Sequence, residues 1–95
     1  MKHMNSAEIR QYVEDNNETH LAPGELDHVA MCMEHINKWY YEDYPLGGFL
    51  SAVVRNDLIS AVFQADGVNL KALKIYAYFL TWCLPSDWIR KGGAK

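Results

Sequence analysis

Apolar residues recur along this chain every three to four positions, and the stripes they form divide it into helices separated by proline, glycine and asparagine stops. Asn5 with Glu8 three positions later is a capping-box pattern, so a first helix begins at Asn5 or Ser6. Ile9, Tyr12 and Val13 make its narrow stripe, and Asp15-Asn16-Asn17 end it. So thin a stripe predicts weak docking, because short helices gain their stability from packing. Pro23 suits a first helical turn, and Glu25 and Asp27 suit the positive end of the helix dipole. The second helix therefore runs from Pro23 to about Glu42. Leu26, Val29, Ala30, Met33, Ile36 and Tyr40 form its stripe, with Met31, Cys32, His35 and Trp39 beside it. A helix apolar around more than half its girth is central to a small bundle, or keeps one face for a partner.

Pro45 forbids helical continuation, and Gly47-Gly48 permits a reversal. A third helix over Gly48–Arg55 follows, apolar at almost every position. Asn56-Asp57 is either a polar step on a continuing helix or a break. The break is the reading adopted, with Asn56 or Asp57 capping a fourth helix through Gln64. Leu58, Ile59, Ala61, Val62 and Phe63 are its expected buried set. Ala65-Asp66-Gly67 is a turn, and Asn69 caps a fifth helix from Leu70 to Cys83. Its spine is Leu70, Leu73, Ala77, Leu80 and Leu84, with Ile75, Tyr76, Phe79 and Trp82 on the flanks. Pro85-Ser86-Asp87 closes it and caps a last turn at Trp88 and Ile89. Strand-like alternation never persists. The expected fold is all-α, a compact bundle of about five short helices. Residues 1–95 form one helical domain, with 1–4 and 92–95 as loose ends.

Composition supports this reading. An apolar fraction of 49% with 22% charged residues belongs to an ordinary globular chain rather than a disordered one. No run is long and apolar enough to span a bilayer, and no basic-then-apolar leader is present, so no membrane role is expected. Cys32 and Cys83 read as reduced thiols. The net charge of −3 hides an asymmetry: residues 1–46 carry nine acids and three bases, residues 47–95 three acids and six bases. The acidic half does not favour nucleic acid as a partner. It is either a solvated helix face or an attraction for a basic protein surface.

The central stretch Pro45-Leu46-Gly47-Gly48-Phe49-Leu50-x-Ala52-Val53-x-x-Asn56-Asp57-Leu58, followed by Ala61, Ala65-Asp66 and Asn69, resembles small uncharacterised proteins encoded by phages and prophages. The similarity covers roughly residues 36–84. It implies a phage accessory protein made in the cytoplasm of a bacterial host cell, and it implies no reaction.

The candidate chemistry is thin. His28, Cys32 and His35 fall at i, i+4 and i+7 of the second helix, a spacing that could offer three ligands to zinc, with His20 or Cys83 as a fourth. The competing reading is a small core cysteine flanked by two histidines, and no metal is expected. Cys83, between Trp82 and Leu84, reads as buried and inert. Gly47-Gly48 lacks the Lys and Ser/Thr of a phosphate loop and the spacing of a dinucleotide turn, so no cofactor is expected either. Glu42-Asp43 is an adjacent pair at a helix end, not a facing catalytic pair. The chain is read as not an enzyme.

Trp39, Tyr40, Tyr41 and Tyr44 cannot all point inward from one helix. Tyr40 joins the stripe, and Tyr41 and Tyr44 are part-exposed beside Glu42 and Asp43. Tyrosine and tryptophan are favoured in interface hot spots. The expected partner-binding set is Glu34, Trp39, Tyr41, Glu42, Asp43 and Tyr44, taking a host or phage protein and acting as an inhibitor. The alternative is that these aromatics pack on the first helix or the tail. Two other functions are weighed against it. A helix-turn-helix DNA-binding regulator would need bases early in its recognition helix, where only Lys71 and Lys74 stand. A self-associating structural module, a homodimer, would use the surplus apolar girth of the second helix.

Overall fold

A computed structural model describes residues 4–92. Helix α1 spans Ser6–Asp15, α2 Pro23–Glu42, α3 Gly48–Val54, α4 Leu58–Gln64, α5 Gly67–Lys71, α6 Leu73–Tyr78 and α7 Trp88–Lys91. A π-helical turn, Phe79–Cys83, continues α6. No strand occurs among the described residues. The all-α expectation holds, and the helices exceed five because the expected fifth helix is divided.

The local signals at the helix starts are physical and act as read. Asn5 accepts from the Glu8 amide at 2.9 Å while the Glu8 carboxylate accepts from the Asn5 amide at 3.0 Å. Pro23 opens α2, and the Glu25 carboxylate takes the Ala22 amide at 2.9 Å. Asp57 caps α4 through the Ser60 amide at 3.2 Å. That bond, ahead of the nearby Arg55 charge, holds the Asp57 carboxyl below its ordinary range.

α2 is the axis. Val29, Met33 and Ile36 are fully enclosed, and Leu26, Ala30 and Cys32 are buried beside them. α1 lies along it more firmly than its thin stripe predicts. Ile9 and Val13 are fully buried, Tyr12 meets Phe79 edge-on at 6.0 Å, and Arg10 pairs with Asp27 at 2.9 Å. Two fully buried β-branched residues weigh against the weak docking expected from the stripe's narrowness. The loose ends also need correction at their inner edges. Met4 packs on the core, and its carbonyl accepts from the buried Asn37 side chain at 3.2 Å. Gly92 lies so close to the end of α3 that a Cβ would stand 2.0 Å from the Val54 carbonyl oxygen. Residues 1–3 and 93–95 lie outside the described residues.

α3 and α4 form a tight helical hairpin. The chain reverses at Asn56, whose φ of 59° is left-handed. Gln64 folds back so closely on Gly48 that a Cβ there would meet its Oε1 at 2.0 Å. α4 leans on α3 and makes little contact with any other helix. Only Ala61 of α4 is buried. Leu58, Ile59, Val62 and Phe63, expected in the core, are exposed by 67%, 69%, 42% and 85%.

The last part of the chain departs from the expected register. Asp66, not Asn69, caps here, taking the Asn69 amide at 2.8 Å, and Gly67 belongs to α5. Asn69 is buried and accepts from the Tyr76 hydroxyl at 2.7 Å. The chain turns at Ala72, and the buried face is Ala72, Ile75, Tyr76, Phe79, Leu80 and Leu84. Leu70 and Ala77 of the expected spine are exposed, as is Trp82 at 70%. Residues 70–84 carry two neighbouring stripes of equal helical spacing. The aromatic one was taken inward because Tyr76 and Phe79 bury more area.

Replacing Ile9 by alanine is expected to lower stability by about 2–5 kcal/mol. The check is a urea midpoint that falls with its slope unchanged; a loss under about 1 kcal/mol would restore the weak-docking view. Gly92→Ala is expected to cost about 1–3 kcal/mol by overpacking against Val54, with faster amide exchange across α7 as its local signature.

Candidate protein-binding surfaces

Proline at position 45 ends α2, and the helix closes with a left-handed Asp43 at φ 57° and ψ 31°. The Asp43 amide donates to the Trp39 carbonyl at 3.2 Å and the Tyr44 amide reaches back to the Lys38 carbonyl at 3.3 Å. The first of these bonds is that of an αL C-cap, made with aspartate where glycine is usual. It turns Tyr44 back onto its own helix. The Tyr44 ring stands 5.0 Å from the His35 ring, with Lys38 Nζ 5.8 Å from its centre. Trp39 carries Lys91 Nζ over its face at 5.6 Å, and the same lysine pairs with the exposed Asp43 carboxylate.

Trp39, Asp43 and Tyr44 thereby wall one cleft of about 470 Å³. Its other sides are Pro45 and Leu46, Ser51, Val54 and Arg55 of α3 and its cap, and Lys91 and Gly92. Of the remaining expected residues, Glu42 is exposed and Tyr41 half-buried, its ring edge-on to Tyr40 at 4.8 Å. Glu34 accepts from Ser6 and belongs to the α1–α2 seam. It is nine residues, or about 13 Å of helix, from Asp43. Three of the six residues share the cleft, and Glu34 stands apart from it.

The cleft is mixed in charge rather than acidic. The basic second half of the chain folds over the acidic first half: Lys74 pairs with Glu18 at 2.9 Å, Lys71 with Glu25 at 3.7 Å and Lys91 with Asp43. The Glu18 carboxyl is pulled below its usual range by the hydrogen bond from Lys74. Charge asymmetry along the sequence is thus largely cancelled in space.

The possible metal ligands are dispersed. His28 Nε2 lies 3.7 Å from Cys32 Sγ and 3.8 Å from Asp66, but His35 is turned to Tyr44. Among the described residues no group of three or more His, Cys, Asp and Glu side chains is placed to hold a cation. Burial pushes the Cys32 thiol up, and it pushes up Cys83, which is half-buried rather than enclosed. A thiol raised in this way is a poor nucleophile at neutral pH.

A second surface was not expected. Leu58 and Ala61 of α4, with Ala52, Val53, Leu73, Ala77, Leu80 and Trp88, line a largely apolar groove of about 370 Å³. The exposed side of α4 continues from its rim. One signal could have revealed it: LISAVFQ is apolar around more than half its girth, and a seven-residue helix at the edge of a small domain cannot bury all of it.

No protein-family model matches the chain, and neither a curated protein nor a solved structure is similar to it.

Tyr40 donates to Asp87, which ties the end of α2 to the turn before α7. That hydrogen bond, with burial second, raises the phenol from 10.0 to about 12. The neutral phenol is the form the fold favours, so this contact stabilises fully below pH 10 and its contribution is lost as pH rises from 10 to about 12. Ultraviolet titration should show Tyr40 late beside Tyr12 and Tyr76, which burial also raises, and Asp87→Asn should return one of the late phenols towards 10.

Proposed function

We propose that the protein works by binding another protein, as a small phage-encoded accessory factor with no chemistry of its own, and that the cleft at the end of α2 is the contact surface. The observation that carries this reading is the convergence of Trp39, Asp43 and Tyr44 on one cleft of about 470 Å³. Its walls combine two aromatic rings with both signs of charge, the residue types that anchor protein interfaces. Asp43 offers an exposed carboxylate, Arg55 an exposed guanidinium held only by a 3.9 Å approach to Asp57, and Tyr44 a ring already stacked in place. A ring positioned before binding loses less freedom when a partner arrives. A host or phage protein with a mixed, aromatic-accepting face fits this chemistry, and occupation of that face would make the chain an inhibitor of whatever the partner binds there.

A DNA-binding regulator finds less support. Lys71 and Lys74, the bases of its recognition helix, are turned to Glu25 and Glu18, and α4 offers no base at all.

Affinity capture from bacterial lysates is the test. The wild-type chain is expected to retain a partner in stoichiometric amount, and Tyr44→Ala with Trp39→Ala to lose at least about 30-fold in affinity for it, as hot-spot residues do. No stoichiometric partner across several hosts, or a partner retained equally by the double variant, would overturn the reading.

A further inference from the structure

The exposed side of α4 lies apart from the α2 cleft and asks for a different occupant. Leu58, Ile59, Val62 and Phe63 stand out from a helix packed mainly on α3. At 100° per residue they fill one continuous arc, with Leu58–Val62 and Ile59–Phe63 forming two i,i+4 ridges. We infer that this face pairs with the same face of a second copy of the chain about a two-fold axis.

Three observations select a second copy over an unlike protein. The first is register. A two-fold crossing α4 between Ser60 and Ala61 sets the helices antiparallel and places Leu58 opposite Phe63 and Ile59 opposite Val62, so every exposed apolar residue meets another. Isologous interfaces require a patch that is its own complement. The second is charge. Residues 58–65 contain no ionisable side chain, so two copies approach without repulsion although each carries −3 overall. The same symmetry brings Arg55 of one copy to the end of the helix where Asp66 of the other stands. Both are exposed; Arg55 approaches Asp57 at 3.9 Å, and Asp66, whose Oδ1 caps α5, keeps its Oδ2 3.8 Å from His28. The third is area. The exposed parts of the four residues come to about 500 Å² per chain, at the upper end of the patches monomers leave open. Complete pairing covers at most about 1,000 Å² on α4, near the lower bound of a specific interface, with the adjoining groove beside Leu58 flanking it.

This contact does not use the apolar girth of α2, and it leaves Trp39, Asp43 and Tyr44 free, sharing with their cleft only Arg55 at its wall. Sedimentation equilibrium of the full chain, from micromolar to submillimolar concentration, is the test. The wild type should be a concentration-dependent dimer. Phe63→Arg should raise the dissociation constant at least about 30-fold while the helical circular dichroism is kept, as for a central interface residue. Arg55→Glu should weaken the dimer several-fold. A wild type that stays monomeric overturns the proposal, as does a dimer indifferent to Phe63→Arg. A monomer whose lysate partner is lost with Phe63→Arg would assign the face to an unlike protein and overturn it equally. Loss of capture with Tyr44→Ala in a chain that still dimerises would concern the α2 cleft alone.

Discussion

The enclosure of one side of α2 governs the rest of the molecule. Val29, Met33 and Ile36 have no contact with water, and the aromatic pair Tyr76 and Phe79 from the last third of the chain is enclosed in the same core. Fully burying a side chain of this size is worth roughly 1.5–3 kcal/mol, while a domain of this length holds only about 5–15 kcal/mol in total. No single surface contact competes with that. The cross-chain ion pairs of Lys71, Lys74 and Lys91 sit on exposed groups, where such pairs contribute little to stability, and their effect is to bring the later helices' charge against the earlier helices' acids.

Because α2 spends its apolar side on the core, its chemistry-bearing residues are either buried or pushed to its end. Cys32 is sealed under Tyr76 and kept as a thiol, whereas Trp39, Asp43 and Tyr44 emerge where Pro45 stops the helix. The left-handed Asp43 directs Tyr44 back onto α2, and α7 brings Lys91 to Trp39 and Asp43. The proposed binding cleft therefore depends on the same helix end that starts the α3–α4 hairpin. That hairpin in turn carries the apolar ridge of α4 to the outside, so the proposed partner surface and the proposed self-pairing surface are set apart by α3.

Much of this was legible residue by residue. The Asn5–Glu8 box, Pro23 at the head of α2, the stop at Pro45 and the Asp57 cap are interactions between neighbours in sequence, and they behave as their types require. The inner side of α2 was legible too, since one stripe dominates it. The candidate site was half legible: four aromatics in six positions could not all be buried, but their grouping with Arg55 and Lys91 came from residues far along the chain. Glu34 fell away because Ser6 of α1 takes it.

What the sequence by itself determined is where the first four helices begin and end, because caps, prolines and glycines act over three or four residues; the Asp66 cap and the turn at Ala72 were not legible in it. Tertiary structure decided which face each helix buries. Residues 70–84 offered two neighbouring stripes, and LISAVFQ has an apolar arc wider than its Ser60–Gln64 polar side, so periodicity could not choose between inside and outside. The choice follows from area: a core already filled by Ile9, Met33, Ile36, Tyr76 and Phe79 has room for Ala61 and none for Phe63. For the same reason the acidic face read along the chain did not persist in space, since opposite charges distant in sequence became neighbours once the helices packed.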